Sequence, residues 1–132
     1  MSTVTSKDGT RIAYSMTGTG PALIVVCGAT AFRATDPALA GLAELLAPQF
    51  TVITYDRRGR GESGDTLPFS TTRELEDIAA LIDAVGGHAS LLGYSSGSVV
   101  ALEAAVAGVS IDKLAMYEPP FVLPGTNFPP PP

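Results

Sequence analysis

The sequence holds one histidine, one cysteine and no tryptophan in 132 residues. A single cysteine, Cys27, excludes a disulfide framework. With His88 as the sole imidazole, the Cys and His ligands of an ordinary zinc site are missing too, and no cofactor is expected. Charge is sparse: 16% of residues carry it, against about 25% in typical soluble domains. It also leans negative, to a net −5. The only basic cluster is Arg57, Arg58 and Arg60, too little to neutralise a phosphate backbone, so no nucleic-acid partner is expected. No apolar run approaches the roughly 18 residues of a membrane span, so no membrane association is expected. The first eight residues lack a basic stretch followed by an apolar one, the pattern of a secretory leader. A lone Cys27 inside an apolar run suits a reducing compartment, and a cytoplasmic location is the expectation.

What is present is apolar. Hydrophobic residues make up 45% of the chain, and the mean hydropathy is +0.28. Disorder, collagen and coiled coil are excluded by that composition. The length suits one domain with one core. Proline is unevenly spread: seven of the eleven fall in the last fourteen residues, and the chain stops at Pro129–Pro132.

Along the chain, residues 3–17 read as a hairpin around the turn signal Asp8-Gly9. The continuous apolar run 22–27 reads as a strand buried on both faces. Asp36-Pro37 opens a helix, Asp36 as cap and Pro37 at its first position. Leu39, Leu42, Leu45 and Leu46 give that helix an apolar face. Residues 51–55 form the next strand, and a glycine-rich loop with Gly59, Gly61 and Gly64 follows. A helix over 72–85 presents Leu75, Ile78, Leu81, Ile82 and Val85 on one face, with Arg73, Glu74, Glu76 and Asp77 mostly opposite. Residues 89–92 are a short strand, 98–107 a small-residue helix, and 113–117 a last strand. Strands alternating with helices predict an α/β fold: a mainly parallel, doubly wound sheet with an N-terminal antiparallel hairpin. Function in such sheets gathers in loops at the C-terminal strand ends, here 28–33, 56–64 and 94–97.

One of those loops carries a chemical motif. Gly93-Tyr94-Ser95-Ser96-Gly97 matches G-x-S-x-G between an apolar strand and a small-residue helix. In that setting the serine occupies the apex of a strained turn, and the flanking glycines remove side chains that would clash. The hydroxyl stands above the sheet, and the next backbone N–H can donate to a developing oxyanion. The plainer alternative is a glycine-rich turn with no chemistry.

With these residues the chain resembles the α/β-hydrolase family over roughly residues 3 to 122. Val25-Val26-Cys27-Gly28-Ala29 looks like the family's strand ending in His-Gly, with Cys27 in place of the histidine. Asp56-Arg57-Arg58-Gly59-Arg60-Gly61-Glu62-Ser63 looks like its D-x-R-G-x-G-x-S loop, and Gly93 to Gly97 like its nucleophile elbow. The resemblance implies Ser95 as nucleophile and the N–H groups of Ala29 and Ser96 as oxyanion hole. It implies hydrolysis of an ester, lactone, thioester or related acyl bond of a small molecule. Cys27, Gly28, Phe32, Tyr94 and Phe121 are pocket candidates under this reading; Cys27 reads as a small buried hydrophobe at the pocket rim, the alternative being a reactive thiol, and the aromatics fit equally as core. Phe128 is a further candidate for a pocket wall.

The base is missing. Serine needs one, usually histidine, and in this family it follows the serine in sequence. No histidine follows Ser95. His88 sits at the opposite end of the strand that delivers Ser95, roughly 15–20 Å away, where a hydrogen bond needs about 3 Å. Glu118 is a candidate acid; the alternative is that it anchors the turn into Pro119-Pro120 or lines the pocket. The family's full domain is about twice this length. The expectation is therefore that residues 1–122 are the N-terminal portion of the core and 123–132 a Pro-rich coil. A complementary C-terminal chain or segment of the same domain would carry the histidine. The alternative is a non-catalytic interaction module whose prolines form a polyproline ligand or a simple spacer.

Overall fold

A computed structural model describes residues 2–120. Phe121, Phe128 and the proline run lie outside the described residues. Among the described residues three strands come first and helices then alternate with strands: β1 (Ser2–Thr5), β2 (Arg11–Thr17), β3 (Ala22–Val26), α1 (Pro37–Leu46), β4 (Thr51–Tyr55), α2 (Thr71–Ala84), β5 (Ala89–Tyr94), α3 (Ser96–Val106) and β6 (Ile111–Tyr117). One sheet has the order β1-β2-β4-β3-β5-β6. β1 and β2 are antiparallel, β2 meets β4 antiparallel, and β4, β3, β5 and β6 run parallel. The expected architecture is present.

The strand side chains alternate between two cores. Ile24, Val26, Ile53, Tyr55 and Leu91 face α2 and α3, packing on Ile78, Leu81, Val100 and Ala101. Val25, Cys27 and Val52 face α1, packing on Leu39 and Ala43. Both faces of β3 and β4 are thus covered, which explains their unbroken apolar runs. α1 begins as the sequence predicts: Asp36 accepts from the Leu39 N–H at 3.3 Å, and Pro37 occupies the first turn.

Several details differ from the sequence reading. The hairpin connection spans residues 6–10, longer than a two-residue turn, because the Asp8 carboxylate folds back onto the Thr10 N–H. Leu45 is 78% exposed, since it lies about 120° around α1 from Leu39. α3 begins at Ser96, directly behind Ser95, and β6 begins at Ile111. The largest difference is in α2. Glu74 and Asp77 are buried, not solvated on the polar face. Each is neutralised by an arginine of the loop after β4: Glu74 by Arg57 at 2.7 Å and Asp77 by Arg58 at 2.6 Å. A buried carboxylate demands such a partner.

Candidate active site

Because β3, β4 and β5 are parallel, the loops after them emerge at one edge of the sheet. The β5–α3 turn is the sharpest. Ser95 has φ 53° and ψ −130°, a left-handed conformation costly for a residue with a Cβ. Three contacts hold it there. The Ser95 N–H donates to the Tyr117 carbonyl at the end of β6, at 3.0 Å. The Ser98 hydroxyl donates to the same carbonyl at 3.2 Å. The Ser98 N–H returns to the Ser95 carbonyl at 3.0 Å.

The flanking glycines are required by space. A Cβ on Gly93 would stand 2.7 Å from the Gly97 carbonyl oxygen and from the Ser98 Cα. A Cβ on Gly97 would collide with the carbonyl oxygens of Val26 at the end of β3 and of Cys27 just after it. α3 therefore crosses β3 at backbone contact, and Ser95 is pushed out into solvent while its neighbours Gly93, Gly97 and Ser98 are buried. Gly28 faces it: a Cβ there would sit 3.5 Å from the Ser95 Cβ and 3.9 Å from its Oγ. Ala29, the next residue, is exposed, while Ser96 opens α3 and is half-buried. A hydroxyl at the apex, a helix N-terminus beneath it and an adjacent loop form an arrangement able to receive an acyl carbonyl.

The 56–64 loop joins the other two. Asp56 takes the backbone N–H of Arg33 at 2.9 Å and of Glu62 at 2.9 Å, and an ion pair from Arg33 at 3.1 Å. Burial disfavours its charge, but these donors outweigh that and hold its carboxyl below the ordinary range. Arg57 donates through Nε and Nη2 to both oxygens of Glu74, and through Nη1 to the Cys27 carbonyl at 3.0 Å and the Ser96 hydroxyl at 3.1 Å. Arg60 donates to the Ala29 carbonyl at 2.7 Å.

The remaining sequence-picked residues separate. Tyr94 turns to the α1 side, donates to Asp36 at 2.7 Å, and lines a cavity of about 510 Å³ with Ala38, Leu39, Leu42, Leu92 and Tyr117. Burial and the Asp36 carboxylate raise its phenol well above the ordinary value. Cys27 is fully buried in the α1-side core, and desolvation raises its thiol pKa, which disfavours the reactive thiolate. Phe32 is half-buried ahead of α1. Glu118 follows β6 with φ 48° and is exposed. His88 lies exposed at the other end of β5, bonded to Asp112 at 2.7 Å. Among the described residues no cluster of three or more His, Cys, Asp or Glu could hold a metal.

Known proteins share this framework. A family model described as "Alpha/beta hydrolase family" matches residues 23–132. The chain belongs to the alpha/beta hydrolase family. It is 52% identical to an alpha/beta hydrolase from Sphaerobacter thermophilus DSM 20745, with a TM-score of 0.92, covering 99% of this chain and 50% of that one. It is 30% identical to an N-formylmaleamic acid deformylase from Pseudomonas putida S16, TM-score 0.81, covering 95% of this chain and 49% of that one. It is 31% identical to the bottromycin epimerase BotH, TM-score 0.76, covering 87% of this chain and 47% of that one. This alpha/beta-hydrolase chain thus spans about half the length of the solved structures it matches. Within it, sequence reasoning missed the Glu74 and Asp77 partners. Two adjacent arginines and two carboxylates three apart on the following helix were the available signal.

Proposed function

We propose that this chain is the N-terminal half of a serine hydrolase that cleaves an ester, lactone, thioester or related acyl bond of a small molecule through an acyl-enzyme at Ser95. The observation that carries the reading is the Ser95 geometry: an exposed hydroxyl at φ 53°, on the N-terminal end of α3, against the glycine loop after β3. The Ser95 Oγ attacks the acyl carbon and its proton passes to a histidine of a complementary segment. The Ala29 and Ser96 N–H groups hold the tetrahedral oxyanion. Collapse expels the alcohol, thiol or amine, which takes that proton. Water, deprotonated by the same histidine, then releases the acid and restores Ser95. The relative named for deformylation acts on a formyl group, an acyl chemistry of this kind. The relative named as an epimerase shows that the same framework also serves a non-hydrolytic protein.

A sheet edge unpaired among the described residues and an apolar cavity beside it support a complementary segment. β6 ends the sheet among the described residues, and the apolar cavity beside it exposes Leu92 and Tyr117 between α1 and the sheet. Among the described residues no helix is long and apolar enough to cross a membrane; a cytoplasmic setting rests on the single buried free thiol. Steady-state hydrolysis of a panel of p-nitrophenyl esters by the assembled protein, before and after Ser95→Ala, tests this reading. Loss of turnover supports it; turnover unchanged by the substitution overturns it. The competing reading is a non-catalytic module that retains the turn. Inertness of the assembled protein toward every acyl substrate and toward serine-directed phosphonates would favour it.

A further inference from the structure

Three successive carbonyls of the loop after β3 are each tied down. The Cys27 carbonyl accepts from Arg57 at 3.0 Å, the Gly28 carbonyl from the Ala31 N–H at 3.3 Å, and the Ala29 carbonyl from Arg60 at 2.7 Å. Between the first and the third lies the peptide plane whose N–H belongs to Ala29. The Gly28 carbonyl lies in the same plane as that N–H, so its bond to Ala31 resists a flip of the plane, while Arg57 and Arg60 fix the planes on either side and set where it sits. Arg57 extends the same restraint to the elbow, since its Nη1 also reaches the Ser96 hydroxyl at 3.1 Å. Both guanidiniums gather on one carboxylate: Glu74 meets Arg57 at 2.7 Å and Arg60 at 3.9 Å. Glu74 is 3% exposed and is held by α2, outside all three loops.

We propose that Arg57 and Arg60, gathered by the buried Glu74, are positioning residues that set the two oxyanion-hole N–H groups, Ala29 on its loop and Ser96 on the elbow, at a fixed separation. None of the three is a catalytic residue. The proposal rests on the serine-hydrolase reading above and deepens it. Its physical basis is that oxyanion donors act only when aimed in advance: a displacement of about 1 Å can cost on the order of 100-fold in rate. A guanidinium suits the task because its rigid fork spans two elements at once, which an ammonium on a flexible stem does not.

Arg60 gives the cleanest test, because a quarter of its side chain is exposed and the Arg57–Glu74 pair survives its loss. In the assembled protein, Arg60→Met is expected to slow modification of Ser95 by a fluorophosphonate about tenfold. It should lower kcat for an ester by a similar factor, with KM within about twofold and the melting temperature nearly unchanged. Arg60→Lys should recover part of the rate, since one ammonium can still reach the Ala29 carbonyl. Glu74→Gln should lower both stability and rate, because it leaves Arg57 buried without a counter-charge. If Arg60→Met reacts as fast as the parent protein, or if only its melting temperature moves, the positioning role is overturned and the hydrolase reading stands. If the parent protein itself is not modified at Ser95, the hydrolase reading fails and the proposal fails with it.

Discussion

Replacing Gly97 by alanine tests the backbone crossing that sets up the elbow. The added methyl would overlap the carbonyl oxygens of both Val26 and Cys27. Neither oxygen can swing aside. Val26 is registered with Gly93 in the parallel ladder, and the Cys27 carbonyl is held by Arg57. α3 and β3 must separate instead. Forcing a methylene-sized group into a packed site costs typically about 1–3 kcal/mol. With immovable backbone on the far side, the upper end applies, about 3 kcal/mol. Gly41 provides the control, because it lies exposed within α1 with nothing near a built Cβ. There the same substitution removes the entropic penalty of glycine in a helix and stabilises by about 0.5–1 kcal/mol. At about 3–5 °C per kcal/mol for a domain of this size, Gly97→Ala should lower the melting temperature by about 10 °C and Gly41→Ala raise it by a few degrees. Thermal melting by circular dichroism reads both. Gly97→Ala melting no lower than Gly41→Ala would refute the close crossing, and with it the reason Ser95 is driven to the apex.

Further predictions follow from the ion pairs and the groove. Asp77→Asn leaves the fully buried Arg58 guanidinium with only Asp8 as counter-charge. It should cost about 3 kcal/mol in urea denaturation, whereas Arg73→Ala, which loses a partly exposed pair with Glu76 and a longer one with Asp8, should cost less than about 1 kcal/mol. Asp56 has a lowered pKa in the fold, so it contributes stability above its unfolded value of about 3.9 and loses that contribution as pH falls through the lower folded value. Urea midpoints should therefore hold steady down to about pH 5 and drop below about pH 4, and Asp56→Asn should flatten part of that drop. Tyr94→Phe removes the hydrogen bond to the half-buried Asp36 and should cost about 1–2 kcal/mol by the same measurement.

Much of this was legible in the sequence because local rules and the global fold agree. The apolar runs of β3 and β4 read as doubly covered strands, and α1 on one face with α2 and α3 on the other covers them. Gly93-Tyr94-Ser95-Ser96-Gly97 reads as an elbow because it stands between an apolar strand and a small-residue helix, and the backbone contacts at Gly93 and Gly97 show why side chains are forbidden there. Glu74 and Asp77 were misread because helical periodicity sorts residues by polarity. A carboxylate on the inner face violates that sorting unless a counter-charge arrives from elsewhere in the chain. Arg57 and Arg58 arrive from 17 and 19 residues upstream, a distance across which no pattern of period two or 3.6 carries information. Leu45 was misplaced for a simpler reason, an apolar residue off the buried stripe of its helix. Tyr94 is ambiguous in sequence and divided in structure, its ring against the α1-side core and its hydroxyl on Asp36.

The central claim is that Ser95 is a nucleophile once the domain is complete. Incubation of the assembled protein with a fluorophosphonate, followed by peptide mass spectrometry, tests it directly. The account predicts a single adduct on the peptide containing Ser95, abolished by Ser95→Ala and by prior heat denaturation. An assembled, folded protein that carries its histidine-bearing segment and still gives no adduct at Ser95, or gives one at another serine, would contradict it.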